Sequence, residues 1–432
     1  MKPGARLASA VEVLAEIIKR HRPAAQALGD WGKSNRFAGS GDRAAIGNLV
    51  YDALRRKLSL AAQMQSDSPR ALILGAASRA FAMSIEQIVA AADGSRYALT
   101  PLSDAELKGL REQLDSELPQ YIHGDYPEWL APSIERAFGG TAVQQGAALA
   151  RRASVDLRTN ALKAEREQML KALVRAQAVE GQYAPLAVRI PPPDGPGRTP
   201  NVEAETSHGK GWFEVQDEGS QIAAALAGAT PRLQVLDLCA GAGGKTLALA
   251  GTMQNTGQIF AFDTDKYQLR PVFERMQRAG VRNVQVLDAG DMGALGALGA
   301  RFDIVFADAP CTGSGVWRRR PDAKWRVKPA NLATRIAEQQ RVLSTAQTLV
   351  KPGGRLLYVT CSILPEENTD QVSWFLNQAP DFKLVPYAER WRETLPDKAP
   401  PSADGRTDTL LLTPGSHGTD GFFIATFERS AP

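Results

Sequence analysis

The side chains best suited to covalent chemistry are three cysteines, Cys239, Cys311 and Cys361, in a chain of 432 residues. Each stands just past a short apolar run. Cys239 follows Gln234–Leu238, Cys311 follows Asp303–Asp308 across Ala309-Pro310, and Cys361 follows Arg355–Thr360. A lone cysteine is ordinarily a small core residue. Two cysteines at adjacent strand ends, one of them behind Asp308-Ala309-Pro310, favour reactive sulfur. So few cysteines make no disulfide scaffold and suit a reducing compartment. The four histidines, His21, His123, His208 and His417, are scattered, so no metal is expected.

A second chemical signal follows the first apolar run: Cys239-Ala240-Gly241-Ala242-Gly243-Gly244-Lys245-Thr246. A glycine-rich turn after a strand lets a ligand approach the backbone closely. Gly244-Lys245-Thr246 matches the end of a triphosphate-binding loop, but Cys239 stands where the first glycine of that loop belongs. A dinucleotide fingerprint fails too, because Thr246 replaces its last glycine. Asp263, roughly 20 residues on, suits a ribose diol, or a helix N-cap together with Thr264 and Asp265. Asp288 and Asp291 follow the next run, again with a capping alternative. Turn and acidic strand ends together indicate a nucleoside-bearing cofactor. S-adenosylmethionine and NAD both qualify at this stage.

A third signal is the segment Trp317–Lys328, with six cationic residues, one acid and two tryptophans. Cations interleaved with aromatic rings suit a nucleic-acid strand. Arg318, Arg319, Arg320, Lys324 and Arg326 are therefore expected to bind it. The competing reading is a surface loop anchored in the core by its tryptophans.

These residues need elements to hold them. From about residue 231, apolar runs of four to six residues alternate with helix-length stretches: Gln234–Leu238, Gln258–Asp263, Val284–Leu287, Asp303–Asp308 and Arg355–Thr360. That alternation predicts βαβ units and a mainly parallel sheet, with ligands beyond the carboxyl ends of its strands. Residues 1–125 read as helical, with amphipathic stretches Leu7–Lys19 and Ala44–Leu60. Residues 126–230 contain helical stretches around Glu135 and Glu165, then the linker-like passage Ile190–Gly197. The expected architecture is an all-α N-terminal domain (1–125), a small α+β connector (126–230) and an α/β Rossmann-like domain (231–432).

Composition is ordinary for a globular chain, 44% hydrophobic and 23% charged, which excludes wholesale disorder. The net charge of +4 is too mild to identify a polyanion partner. Its distribution is more telling: residues 1–80 carry 13 Lys+Arg against 6 Asp+Glu, and residues 81–130 carry 3 against 9. A basic half on a helical domain fits contact with phosphates. No run reaches a membrane span and no signal-peptide core is evident, so a cytoplasmic protein without membrane contact is expected.

Asp308-Ala309-Pro310-Cys311-Thr312-Gly313-Ser314-Gly315 with Arg320-Pro321-Asp322, and Thr360-Cys361-Ser362-Ile363-Leu364-Pro365-Glu366-Glu367-Asn368, resemble the RsmB/Nop/Sun family of RNA cytosine-5 methyltransferases. Phe213–Ser220 and Asp420–Ala425 extend the resemblance over residues 125 to 430. The front, especially Ser40-Gly41-Asp42-Arg43 through Leu54-Arg55-Arg56, looks like a NusB-type RNA-binding domain. The resemblance implies a class I methyltransferase domain over residues 231–432, S-adenosylmethionine as cofactor and ribosomal RNA, 16S above all, as partner; a monomer is expected. It implies Cys361 as nucleophile, Cys311 as the group assisting release, and Asp308 as a contact to the base. Cofactor contacts carry over to Cys239, Ala240, Gly241, Ala242, Gly243, Gly244 and Lys245, and to Asp263, Asp291 and Asp308. The family usually has Ala-Pro where Gly241-Ala242 stand, so the turn is expected to be less rigid. In the third segment the usual His before Pro-Asp is Arg320. Only thiolate attacks, so Cys361 should lie in an electropositive, partly exposed pocket. The alternatives are a transfer-RNA cytosine-5 methyltransferase, a DNA cytosine methyltransferase using Pro310-Cys311, and a non-catalytic RNA-binding or antitermination factor. The first reading requires both sulfurs to face one cavity.

Overall fold

The computed structural model describes residues 1–431; Pro432, the last residue of the expected third domain, lies outside the described residues. The first 149 residues form helices and short turns, beginning with Pro3–Arg20, Ala24–Ser34 and Ser40–Arg55. The apolar stripes of the helices up to Arg111 close on a common core containing Leu14, Ile46, Leu49, Leu72 and Ile88, while those after Asp125 pack on the large sheet through Ile134, Phe138 and Leu149. The helix read over Ala44–Leu60 breaks at Arg56, and a new helix runs over Lys57–Met64. The cause is a long-range cap: the Asp125 carboxylate accepts from the backbone N–H groups of Leu58 and Ser59 at 2.9 and 3.0 Å.

A small antiparallel sheet follows, with β1 (Val155–Thr159), β2 (Val179–Glu180), β3 (Ala187–Ile190) and β4 (Phe213–Val215) in the order β2-β3-β1-β4. The helix Arg166–Ala172 packs on it through Met169.

The large sheet has eight strands: β5 (Gln234–Asp237), β6 (Gln258–Ala261), β7 (Val284–Val286), β8 (Phe302–Asp308), β9 (Val350–Thr360), β10 (Phe382–Val385), β11 (Leu410–Leu412) and β12 (Phe422–Arg429). Its order is β10-β12-β9-β8-β5-β6-β7, with β11 paired to β12. Strands β5 to β9 are parallel, and the last three join antiparallel. Both faces are covered, so the central strands are apolar throughout. Val305 and Ala307 face one layer with Phe138 and Leu343, while Ile304 and Phe306 face the other with Ile222 and Leu249. The helix Glu218–Leu226 thus packs with the large sheet as well as with the small one, where Glu218 N–H donates to Asp156 of β1. The chain runs outward from β5 through β7, then returns to β8 and β9 on the other side. The strand order therefore switches between β5 and β8, where the fold opens a crevice beyond the strand ends.

Candidate active site

Strands β8 and β9 pair in parallel with Asp308 opposite Val359. Cys311 and Cys361 leave the ends of these neighbours, and their sulfurs lie 3.3 Å apart. That is a thiol–sulfur contact and not a disulfide. The hydrogen bond with Cys361, then burial, push the Cys311 thiol well above its usual value, so Cys311 holds its proton.

The loops that carry the sulfurs are knitted by neutral groups. The Ser314 and Ser362 hydroxyls meet at 2.9 Å, and Ile363 N–H donates to Ser314 Oγ. Gly315 N–H donates to the Cys361 carbonyl, and Gly421 N–H to the Gly315 carbonyl. Thr360 Oγ1 donates to Asn368, whose amide donates to the Ser362 carbonyl. Buried Glu367 grips the Cys311 loop, accepting from Thr312 N–H at 2.8 Å, from Thr312 Oγ1 at 2.5 Å and from Gln339 at 3.1 Å. Burial raises the Glu367 carboxyl against those bonds.

Across the switch point, Lys245 on the first turn of Gly244–Thr252 pairs with Asp308 at 2.6 Å. Burial opposes the ammonium charge, but Asp308, then Cys361, outweigh it and raise Lys245. Lys245 thus brings one cation near Cys361, where the sequence called for an electropositive pocket, and Asp308 balances its charge. Pointing Lys245 at Asp308 also removes it from the role of a triphosphate-loop lysine. Phe422 lies under the ammonium at 5.3 Å.

The glycine turn is held from below. Gly243 caps the helix Gly244–Thr252 at φ +81°, and an added Cβ would meet Val272 Cγ2 at 2.4 Å. Gly241 sits at φ +51° with open space where a Cβ would project. Asp263 accepts from Gly241 N–H at 2.8 Å, and Asp265, not Asp263, caps the next helix. Asp263 is half-buried beside the open face of the turn, so its remaining lone pairs suit a ribose diol. The turn and Asp263 fit an S-adenosyl group. Asp291 is exposed and caps Met292–Ala297, and Gly290 N–H ties its loop to the Asp263 carbonyl. Burial, then Asp263, Asp308 and Asp237, push the Cys239 thiol well up, as befits a structural member of the turn. Asp237 beneath it is raised by burial to about 7, against the hydrogen bond from Thr246.

Two supports were absent from the sequence reading. Arg275 donates to the Ala242 carbonyl at 2.7 Å while ion-paired to Glu214. Buried Arg158 donates to the Gly244 carbonyl at 2.7 Å. Both join the turn to the small sheet. Glu214 and Gln216 lie in the Phe213–Ser220 motif, and the motif's adjacency to the turn was the available signal.

The basic segment departs from expectation. Arg318 is buried between Asp217 and Asp420, and Arg319 pairs with the same two carboxylates. Lys324 is 1% exposed and donates to the carbonyls of Arg55 at 2.7 Å and Asp125 at 2.5 Å. Trp317 is buried, and the Trp325 indole donates to the Leu54 carbonyl. The segment that carries these three cations is a strut, joined to the helical front by Lys324 and to the approach of β12 by Arg318 and Arg319, and not an RNA surface. A long side chain is held inside when its donors meet carbonyls or carboxylates there. Arg320 and Arg326 remain exposed, Arg326 against Asp322 at 2.8 Å.

Among the described residues no group of His, Cys, Asp and Glu is arranged to hold a metal, and no helix is long and apolar enough to cross a membrane.

Comparison with known proteins meets this geometry. Residues 225–428 match the family model described as 16S rRNA methyltransferase RsmB/F, and residues 126–193 match the RsmF/B-like ferredoxin-like domain. Ribosomal RNA small subunit methyltransferase B of Erwinia tasmaniensis is 31% identical over 336 residues, covering 76% of this chain and 73% of that protein. The chain belongs to the RsmB/F methyltransferase family. The Sodalis glossinidius protein of the same name is 32% identical over 326 residues, covering 75% of this chain and 67% of that protein. The solved structure of PH0851 superposes with a TM-score of 0.75 at 26% identity and covers 99% of each chain. A helical front and a sheet-built methyltransferase domain are thus the architecture of an RsmB/F member.

Proposed function

We propose that this protein methylates carbon 5 of a cytosine in small-subunit ribosomal RNA through a covalent cysteine adduct. It is an S-adenosylmethionine-dependent RNA methyltransferase of the RsmB/F family. The observation that carries the cytosine-5 reading is the pair of sulfurs 3.3 Å apart beside the Lys245–Asp308 pair.

Carbon 5 of cytosine is a poor nucleophile until sulfur adds to carbon 6. Cys361 is the sulfur that adds. Its thiolate forms the S–C6 bond, the C5–C6 double bond opens, and the electron pair makes carbon 5 nucleophilic. The Asp308 carboxylate accepts from the exocyclic amine and steadies the ring. Bound over the turn from Cys239 to Lys245 and against Asp263 and Asp291, S-adenosylmethionine supplies an electrophilic methyl group. After carbon 5 is substituted, its proton passes to a water molecule in the crevice, the C–H electron pair re-forms the C5–C6 double bond, and the S–C6 bond breaks. Cys311, in contact with Cys361, assists that exit, and the Cys361 sulfur departs with the bonding pair. The cytosine must leave its stack to reach this crevice.

The division into residues 1–125, 126–230 and 231–432, with a NusB-type front, is part of the same proposal, as are a monomeric state, a cytoplasmic site of action, and RNA contact by exposed Arg320 and Arg326. Bisulfite sequencing of RNA from cells lacking the protein tests the reading. One cytosine in small-subunit RNA should lose protection, and the wild-type protein but not Cys361→Ala should restore it. Loss in transfer RNA alone, or nowhere, would refute it.

A further inference from the structure

The helical front carries a second concavity, remote from the cysteines. It lies between the helix Ser40–Arg55 and the linker that follows β3, with a volume of about 400 Å³. Trp31, Arg43, Asn48, Tyr51, Arg198 and Thr199 line it, and no carboxylate does. Among the described residues, neither Arg43 nor Arg198 has an ion-pair partner. Both are exposed, and Arg43 commits only its Nε, to the Ala38 carbonyl at 2.9 Å. The nearby acids are already engaged: Asp42 by the Met1 amino group and Arg6, Asp30 by Arg22 and Lys33. Trp31 is nine-tenths buried, and its indole N–H has no acceptor in the protein. A buried donor without an acceptor is costly unless a ligand supplies one. Asn48 pins the linker to the helix through the Gly197 carbonyl at 2.9 Å, so the two arginines are brought together from separate elements.

Donors in excess, unpaired guanidinium groups and no carboxylate describe a site for an anion rich in acceptors. We propose that this cleft binds phosphodiester groups of the RNA substrate. The helix that carries Arg43 ends at Arg55, whose guanidinium donates to the Arg318 carbonyl of the strut. Twelve residues of helix span about 18 Å. A strand held at Arg43 is therefore held at a fixed distance from the loops around Cys311. This inference rests on the RNA methyltransferase reading.

The test is affinity for transcribed small-subunit ribosomal RNA across a salt series, for wild type, Arg43→Gln, Arg198→Ala and the double variant. Arg198 sits on an exposed linker, so its loss leaves the fold intact, and circular dichroism checks the others. The double variant should bind about tenfold more weakly. Its salt dependence should flatten by roughly 0.7 to 0.9 per lost phosphate contact. Unchanged affinity and slope, with wild type binding and methylating RNA normally, would overturn the cleft alone. Wild type that neither binds nor methylates ribosomal RNA would overturn the proposed function and the cleft with it.

Discussion

The sulfur loops and the strut that follows them are adjacent in the chain but are held by opposite means. Around Cys311 and Cys361 the clasps are hydroxyls, an amide and backbone N–H groups, and charge is confined to Glu367 and the Lys245–Asp308 pair. Along the strut the clasps are buried ions: Arg318 and Arg319 on Asp217 and Asp420, and Lys324 on two carbonyls. Neutral clasps fix geometry without adding a field, so one ammonium can govern the reactivity of the sulfur. Buried ions fix domains against one another, and each depends on its partner, because an orphaned charge is expensive inside a protein. Mutations should therefore divide cleanly between activity and folding.

The largest effect expected is on chemistry. Cys361→Ala should lower methyl transfer by at least about 10³-fold, the scale on which loss of a covalent nucleophile is felt, with an unchanged melting temperature. Cys311→Ala should instead accumulate protein covalently attached to RNA, seen as a shifted band on a denaturing gel. A Cys361→Ala enzyme with full turnover would dissolve the contrast.

On the other side, Asp420→Ala leaves Arg318 and Arg319 short of a partner in the interior. It should cost about 3–5 kcal/mol of stability in denaturant melts, as breaking a buried pair does. Should Asp420→Ala melt like wild type, the strut would not be the structural joint described.

Lys324 sharpens the comparison through pH. Burial lowers its folded-state pKa to about 8 from an ordinary 10.5. Between those values the unfolded chain binds more protons than the folded one, so stability rises with pH. The penalty is fully present below pH 8 and is relieved by about 10.5. Lys324→Met should flatten that rise, read as the difference between wild-type and variant stability over the window.

The smallest effect concerns the turn. Gly243→Ala should strain both the φ of +81° and the Val272 contact. Gly241→Ala meets open space and should cost only about 1–2 kcal/mol for its left-handed backbone. Calorimetry with S-adenosylmethionine should rank Gly243→Ala well below Gly241→Ala in affinity.

The parallel strands were legible because apolar runs of strand length stop at Asp263, two residues past the end of β6, and at Asp308 and Thr360, where β8 and β9 end. The cysteines were legible because residue type and strand end coincide. The strut was misread for a definite reason. A run of arginines looks the same in sequence whether it faces water or Asp217 and Asp420, which stand about 100 residues away on either side. The break at Arg56 was hidden likewise, since its cap comes from Asp125. Local pattern reports period and composition, whereas partners brought in by the fold decide where a charge points.

The pairing of β8 with β9 has one last consequence. Asp308 lies opposite Val359 in the ladder, so the separation of the two sulfurs is set by the register of two neighbouring strands. Cys311 and Cys361 stand 50 positions apart in the chain, and most of that stretch contributes little to it. The long helix Pro329–Leu349 within that stretch steadies the Cys311 loop through Gln339, which donates to Glu367 and to the Pro310 carbonyl, but a slip of one residue between the strands would end the reaction.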